Sequence, residues 1–506
     1  MMKRLRNAVS LKRAHLLGLL TQAALRAVFV VLTIASAEAT DVLRLAPEAP
    51  DKPWVIPADA VERAQKSGER LWTRGADAAE EVPIERGRRY DLAELIDLAQ
   101  RINPETREAW EQARQAALAV GLVQSSYAPQ LSVDVIAGYQ HTPLPIPTTL
   151  IPKGFFTSNT RELIPTLALK WLLFDFGRRE GAEDAARATS LVANVAFTGA
   201  HQKLIFNVSR AYFALGGARG RLNAARQALR TAEIVQDAAE SRRERGVGTI
   251  TALAQAQRQT AQSLFVLTKA AGDERTAYAN LVASIGLPAD TTMEIADSST
   301  RPLPAEPPEN VGTLLRDALA NRPDVIAALG RIDAAEGVLK SRRAAYYPEI
   351  AIVGQLYQNV GSLSTDGSPY YNVNKPGGNV LLTLSLPLYD GGARDSRAAI
   401  AQSELAAARE KLGQVRDAAA QQVITAYNDL KTSLAAYSAA LALRAAAQTS
   451  YDATFDSYLH GVGTYTDLAN EQTSLARADA EREDAHANVF TAAAALALAT
   501  GAIQSK

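Results

Sequence analysis

The chain of 506 residues contains no cysteine. That excludes disulfides, thiolate metal sites, a cysteine nucleophile and lipid attached to an N-terminal Cys. Aromatic residues supply only 6% of a sequence that is 47% hydrophobic. The apolar content is therefore mostly Ala, Leu and Val, a mixture that suits closely packed helices. Neither charge sign dominates, with 54 Lys plus Arg against 54 Asp plus Glu. Without a net field, a nucleic-acid partner is not expected. Histidine is scarce: His15, His141, His201, His460 and His486 share no ligand spacing. No phosphate loop or dinucleotide fingerprint occurs, and the charges at Glu481, Arg482, Glu483 and Asp484 read as a solvated helix face. Catalysis, a cofactor and a bound metal all lack a supporting constellation.

Long hydrophobic runs are also missing. The longest candidate, Ala27 to Ala37, holds 11 residues, short of the ~18 needed to span a bilayer as a helix. It follows a basic start (Lys3, Arg4, Arg6, Lys12, Arg13) and precedes A-x-A sites at Ala35 and Ala37. That order reads as an export signal over 1–39. A Pro-rich extension over 40–88 follows, with Pro47, Pro50, Pro53, Pro57 and Pro83. An exported chain without spanning helices is periplasmic, secreted, or a β-barrel in the outer membrane.

What is present is a duplication. Pro104, Tyr127, Pro129 and Leu131 match Pro323, Tyr346, Pro348 and Ile350 at an offset of 219. After the next loop the offset is 215: Phe174-Asp175 matches Tyr389-Asp390, Arg179 matches Arg394, and Tyr212 matches Tyr427. At the same offset Gly246-Val247-Gly248-Thr249 matches Gly461-Val462-Gly463-Thr464. A single change of register, inside a polar loop, marks a tandem repeat. The repeats are set at 89–290 and 311–501, with a linker at 291–310 and a tail at 502–506.

Each repeat has the same element order. A helix (about 104–128 and 323–347) stops at Tyr-x-Pro or Tyr-Pro. Strands follow at about 130–140 and 162–175, and at 349–358 and 379–389, with loops at 141–161 and 359–379. A very long helix then runs from about 178 to 245, and from 394 to 459. The Gly-Val-Gly-Thr turn reverses it into a last helix. Leu412, Val415, Ala419, Val423, Ala426, Leu430, Leu434, Tyr437 and Leu441 form its apolar stripe. Such a length, roughly 100 Å at ~1.5 Å per residue, implies a coiled coil, a stalk or the wall of a tube.

The strands alternate with period two. Leu167, Leu169 and Trp171 share a face in the first repeat; Leu382, Leu384 and Leu386 share one in the second. These are expected to face lipid, the weak signature of a membrane barrel. Four strands cannot close a barrel, but three chains would supply twelve. A structural or adhesive coiled-coil protein would explain the helices but not hairpins at matching places in both copies.

Together these features resemble the outer-membrane efflux (TolC-like) family, over residues 90–501. The resemblance implies a mainly α fold with a small β part: duplicated long helical hairpins form a periplasmic tunnel, and a homotrimer closes a 12-stranded outer-membrane β-barrel. It implies a passive duct of a tripartite efflux or type I secretion system in a Gram-negative bacterium. A periplasmic adaptor and an inner-membrane pump would be its partners. The turns Gly246, Gly248, Thr249, Gly461, Gly463 and Thr464 would dock the adaptor. Where the family's second repeat often carries two acidic residues three apart, this chain has Asp467 and Asn470. Three-fold symmetry would make rings of carboxylates and amides of them, a cation-favouring gate. Tyr458, just before the turn, would hold the closed state through its hydroxyl. The plainer alternative is a capping Asp, a solvated Asn and a packed Tyr.

Overall fold

The computed structural model describes residues 84–503, apart from 86, 151, 289, 299, 300, 308 and 309. The expected export signal and nearly all of the Pro-rich extension lie outside the described residues. The elements of the first repeat are β1 (Arg89–Tyr90), α1 (Leu92–Ile102), α2 (Pro104–Ser125), β2 (Gln130–Pro145), β3 (Phe155–Phe174), α3 (Arg178–Glu244), α4 (Ile250–Ile285) and β4 (Glu294–Ile295). The second repeat follows as α5 (Val311–Asn321), α6 (Pro323–Ala344), β5 (Glu349–Thr365), β6 (Tyr371–Ser385), α7 (Ala393–Leu459) and α8 (Tyr465–Ala499).

The two long helices have 67 residues each, about 100 Å at ~1.5 Å per residue. Helix α3 packs on α2, α4, α6 and α8, and α7 packs on α6 and α8. Short helices are thus stacked in pairs against each long one. The join between α2 and α4 is tied by Asn103, whose Nδ2 donates to the Ser284 carbonyl at 3.1 Å. The matching join between α6 and α8 is tied by Arg322, which donates to the Ala499 carbonyl at 2.9 Å.

The apolar stripe on α7 holds from Ala419 through Leu430, all buried, and then rotates. Ala440, Ala447, Tyr451 and Tyr458 are the buried positions further down, and Leu441 is exposed. The upper stripe faces α5 and the end of α8, with Ala318 and Leu496 in its cluster. The lower stripe joins Val235 of α3 and Leu468 of α8. The partner changes along the helix, so the covered side changes too.

The sheet departs further from expectation. Its order is β2-β3-β5-β6, and its strands run well into the segments expected to be loops. Only 146–154 and 366–370 remain as connections. Pro143 and Pro145 look like loop residues in sequence. Both lie on β2, an edge strand, where a missing N–H breaks no ladder bond within the chain. Pro165 lies inside the central β3. There the pairing with β5 skips Ile164 and Pro165 between Leu163↔Val360 and Thr166↔Tyr357, as the missing donor requires.

Two short helices, α1 and α5, and the strand pair of β1 with β4 go beyond the elements that the sequence pattern predicts. Helix α1 opens on a capping box, Asp91 accepting from the Glu94 N–H at 2.8 Å and Glu94 from the Asp91 N–H at 2.9 Å. Strand β1 pairs in parallel with β4, so part of the expected linker belongs to the first repeat. Tyr212 Oη donates to the Ala296 carbonyl (3.1 Å) and Arg219 to that of Ile295 (3.0 Å), fixing it to α3.

Candidate functional site: the sheet faces and the twin turns

Register decides which strand residues share a face. Leu131 pairs with Leu169, and Val133 with Leu167. Across β3 and β5, Leu169 meets Gly354 and Trp171 meets Ile352. Ile352 then meets Leu382, and Ile350 meets Leu384. One face therefore carries Leu167, Leu169, Trp171, Leu382 and Leu384 in continuous rows. Leu386 lies just past the end of β6, outside those rows. The other face carries Gln130 beside Lys170, Asp134 beside Thr166, and Gln355 beside Asn379. Leu382 and Leu384 are each 70% exposed, an apolar surface that the chain itself leaves uncovered.

At the opposite end of the long helices stand two turns of one design. After α3, Gly246 takes the left-handed conformation (φ 75°). The Gly246 N–H donates to the Arg243 carbonyl, and those of Val247 and Gly248 to Arg242. Gly248 sits so close to the helix end that a Cβ would lie 2.7 Å from the Arg243 nitrogen. Thr249 caps α4, its Oγ1 accepting from the Ala252 N–H at 3.1 Å. After α7, Gly461 (φ 84°) repeats the reversal, with Val462 and Gly463 donating to the Ser457 carbonyl. Thr464 caps α8. Its Oγ1 accepts from the Asp467 N–H at 3.2 Å and donates to the Asp467 carboxylate at 2.6 Å. Val247 and Val462 stand at the two apices, 65% and 82% exposed.

The three residues read as a gate fall into two places. Asp467 and Asn470 are exposed on one face of α8, and Asp467 also completes the helix cap. Tyr458 is buried instead, at 4% exposure, between α7, α8 and α3. Its ring meets Tyr465 edge to face with centroids 6.2 Å apart, and burial pushes its phenol up from the usual range.

Arg242 is the member of this site that the sequence did not reveal. Its guanidinium carbon lies 5.0 Å from the centre of the Tyr458 ring. Its Nη1 donates to the carbonyls of Tyr458 (2.7 Å) and Leu459 (3.3 Å), the last turn of α7. A cation there also complements the helix dipole. One arginine of the first repeat thus clasps the end of the second repeat's long helix. Arginines beside a turn look solvated in sequence; only the fold brings the two turns side by side. Below them, Gln472 and the Tyr465 hydroxyl are buried with no hydrogen-bond partner among the described residues.

The family model for "Outer membrane efflux protein" matches residues 95–287 and 314–502. Protein CyaE of Bordetella pertussis is 27% identical over 410 residues, covering 81% of this chain and 84% of the relative. Outer membrane protein TolC of Escherichia coli is 23% identical over 411 residues, 79% of each chain. Among solved structures, the outer membrane protein VceC of Vibrio cholerae superposes with a TM-score of 0.67 at 19% identity, covering 81% of this chain and 96% of that one.

Proposed function

The chain belongs to the outer membrane efflux protein family and is a channel of the Gram-negative outer membrane, and on that premise we propose how it works. Three copies close a twelve-stranded barrel, with Leu167, Leu169, Trp171, Leu382 and Leu384 toward lipid. The duct is passive. A periplasmic adaptor docks on the twin turns and links it to an inner-membrane pump, which sets cargo and direction.

The observation that carries this reading is the two-faced sheet with two open edges. An unpaired edge cannot stand in hydrocarbon, where each unsatisfied backbone group costs several kcal/mol, roughly 2–7 on transfer scales. Strands β2 and β6 therefore need partners, and further copies supply them. Hydrophobic rows on one side and Lys, Asp, Gln and Asn on the other suit lipid outside and water inside.

Gating follows from the far end. Three-fold symmetry turns Asp467 and Asn470 into stacked rings that attract cations. Arg242 holds the end of α7 against α3 and keeps the narrow end closed, with Tyr458 as the surface it presses on. Single-channel recording in planar bilayers tests both parts. Asp467→Ala should lower cation preference, and Arg242→Ala should raise open probability. Parent-like conductance in both variants would move the constriction elsewhere.

A further inference from the structure

A basic cleft lies where the sheet meets the helices. It has a volume of about 350 Å³ and is bounded by the end of α6, the start of α7, the first residue of α3 and the foot of β5 and β6. Arg178, Arg342, Arg394 and Arg397 line it, against the carboxylates of Glu349 and Asp390. Both carboxylates are engaged. Glu349 pairs with Arg178, and Asp390 with Arg394 at 3.0 Å. Arg342 and Arg397 are exposed and pair with no carboxylate among the described residues. The lining therefore carries two positive charges in excess.

The duplication shows that the fold does not need this excess. At the offset of 215, Asp390 and Arg394 correspond to Asp175 and Arg179, a pair that both copies keep. Arg397 corresponds to Ala182, and at the offset of 219 Arg342 corresponds to Val123. The first copy thus builds the same junction without the two unpaired arginines. What they add is local positive charge. The cleft that holds them is stiff. A Cβ on Gly181 would lie 2.5 Å from the Ser341 nitrogen, so the end of α6 rests backbone to backbone on α3. Ser341 and Ser385 set hydroxyls beside the guanidinium groups. Guanidinium forks with hydroxyl donors close by suit phosphate or carboxylate oxygens. Glu349 lies opposite Ser385, in step with Ala351 and Thr383, which puts the cleft at the foot of the sheet's polar face.

We propose that this cleft is an oxyanion site, taking a phosphate or carboxylate group on the water side of the sheet. One chain builds the site; only its place on the water side rests on the reading of the two faces above. A free anionic solute and the headgroup of an anionic lipid share the chemistry that the cleft recognises. Each copy in a ring would carry the cleft at the same level, a band of positive charge in the wall between barrel and tunnel.

Pyrophosphate is the probe, titrated by calorimetry into the full chain in phosphatidylcholine nanodiscs. The parent should bind it, and more weakly as salt rises. Arg342→Val with Arg397→Ala imports the first copy's residues, and should weaken binding about tenfold or more with the melting temperature held. If that pair does not fold, Arg342→Gln with Arg397→Gln gives the same readout. A parent that binds no pyrophosphate, or a neutral pair that binds it as the parent does, overturns the site. Phosphatidylglycerol carried through detergent extraction separates the sources. Retention by the parent but not by the neutral pair marks a headgroup as the ligand; equal retention marks a free solute. In planar bilayers, pyrophosphate should block single-channel current of the parent and not of the neutral pair. Binding in nanodiscs without block overturns the water-side placement, and the inward polar face with it, but leaves the site.

Discussion

Arg179 shows how much one side chain organises at the junction of sheet and helix. Its guanidinium donates to the carbonyls of Ser126 (3.0 Å), Leu172 (2.8 Å) and Leu173 (3.1 Å). Its Nε donates to Asp175 at 3.0 Å, and the Tyr127 ring lies 4.5 Å away. Both charged partners are buried. Arg179→Met would strand the Asp175 carboxylate and should cost about 3–5 kcal/mol, read as a lower unfolding midpoint. The repeat-equivalent Arg394–Asp390 pair is more exposed, so Arg394→Met should cost clearly less; equal losses would refute the assignment. The sequence marked these residues as repeat positions. It hid what they do, because the bonded carbonyls come from separate segments. His486 adds a pH dependence. It packs on Phe490 and Tyr437, and burial lowers its pKa from 6.5. The folded chain then binds fewer protons than the unfolded one once pH drops below the unfolded value. Stability from this site is complete above pH 6.5 and is lost on acidification. Melting temperatures from pH 7.5 to 5 should fall less steeply for His486→Phe than for the parent, within about the range His titrates; parallel curves would exclude the effect.

At the scale of elements, the long helices and the turns were legible, and the two short helices and the strand lengths were not. The long helices begin and end within a residue or so of the sequence reading, because glycines flank both ends, Gly177 and Gly246 on α3 and Gly392 and Gly461 on α7. The strands outran it because their outer halves are polar and Pro-bearing, and alternation fades there. The faces are testable on β6. Leu384 lies on the apolar face, while Thr383 lies on the polar one and donates to the Ala351 carbonyl at 3.1 Å. A lipid-facing Arg costs about 2–4 kcal/mol at the bilayer midplane, so Leu384→Arg should reduce heat-modifiable trimer in outer-membrane fractions and Thr383→Arg should do so less. Indistinguishable variants would reverse the assignment. The turns invite a parallel test. Val247 and Val462 project without contributing to the turn's hydrogen bonds through their side chains, so Asp at both should abolish export while trimers persist. Export at the parental rate would place the adaptor elsewhere.

At the scale of the whole molecule, the duplication organises the fold. It predicted paired hairpins and paired long helices, and its breaks in symmetry mark where the copies have diverged in task. Asn103 and Arg322 tie equivalent joins with different chemistry. Thr249 caps onto an alanine, whereas Thr464 caps onto Asp467. The Arg242 clasp has no counterpart in kind, since the residue at its repeat position is Ser457. The sequence displayed every one of these differences. It gave no way to rank them, because their weight depends on which helix stands beside which.

The small pairing of β1 with β4 has a consequence for biogenesis. Arg89 and Glu294 are 205 positions apart in the chain, so the strand pair cannot form until the entire first repeat has emerged from the translocation machinery. Closing so long a loop is slow, although its entropic cost grows only logarithmically with length. A nascent chain halted at Gly286 would leave the Tyr90 carbonyl without the Ala296 N–H that it normally accepts from. The edge of β1 would then stay unpaired, whereas a chain halted past Ser298 could pair it. The contacts of the first repeat therefore extend past Ile285, the end of its last helix, to the Ala296 N–H, a span that local helix propensity does not register.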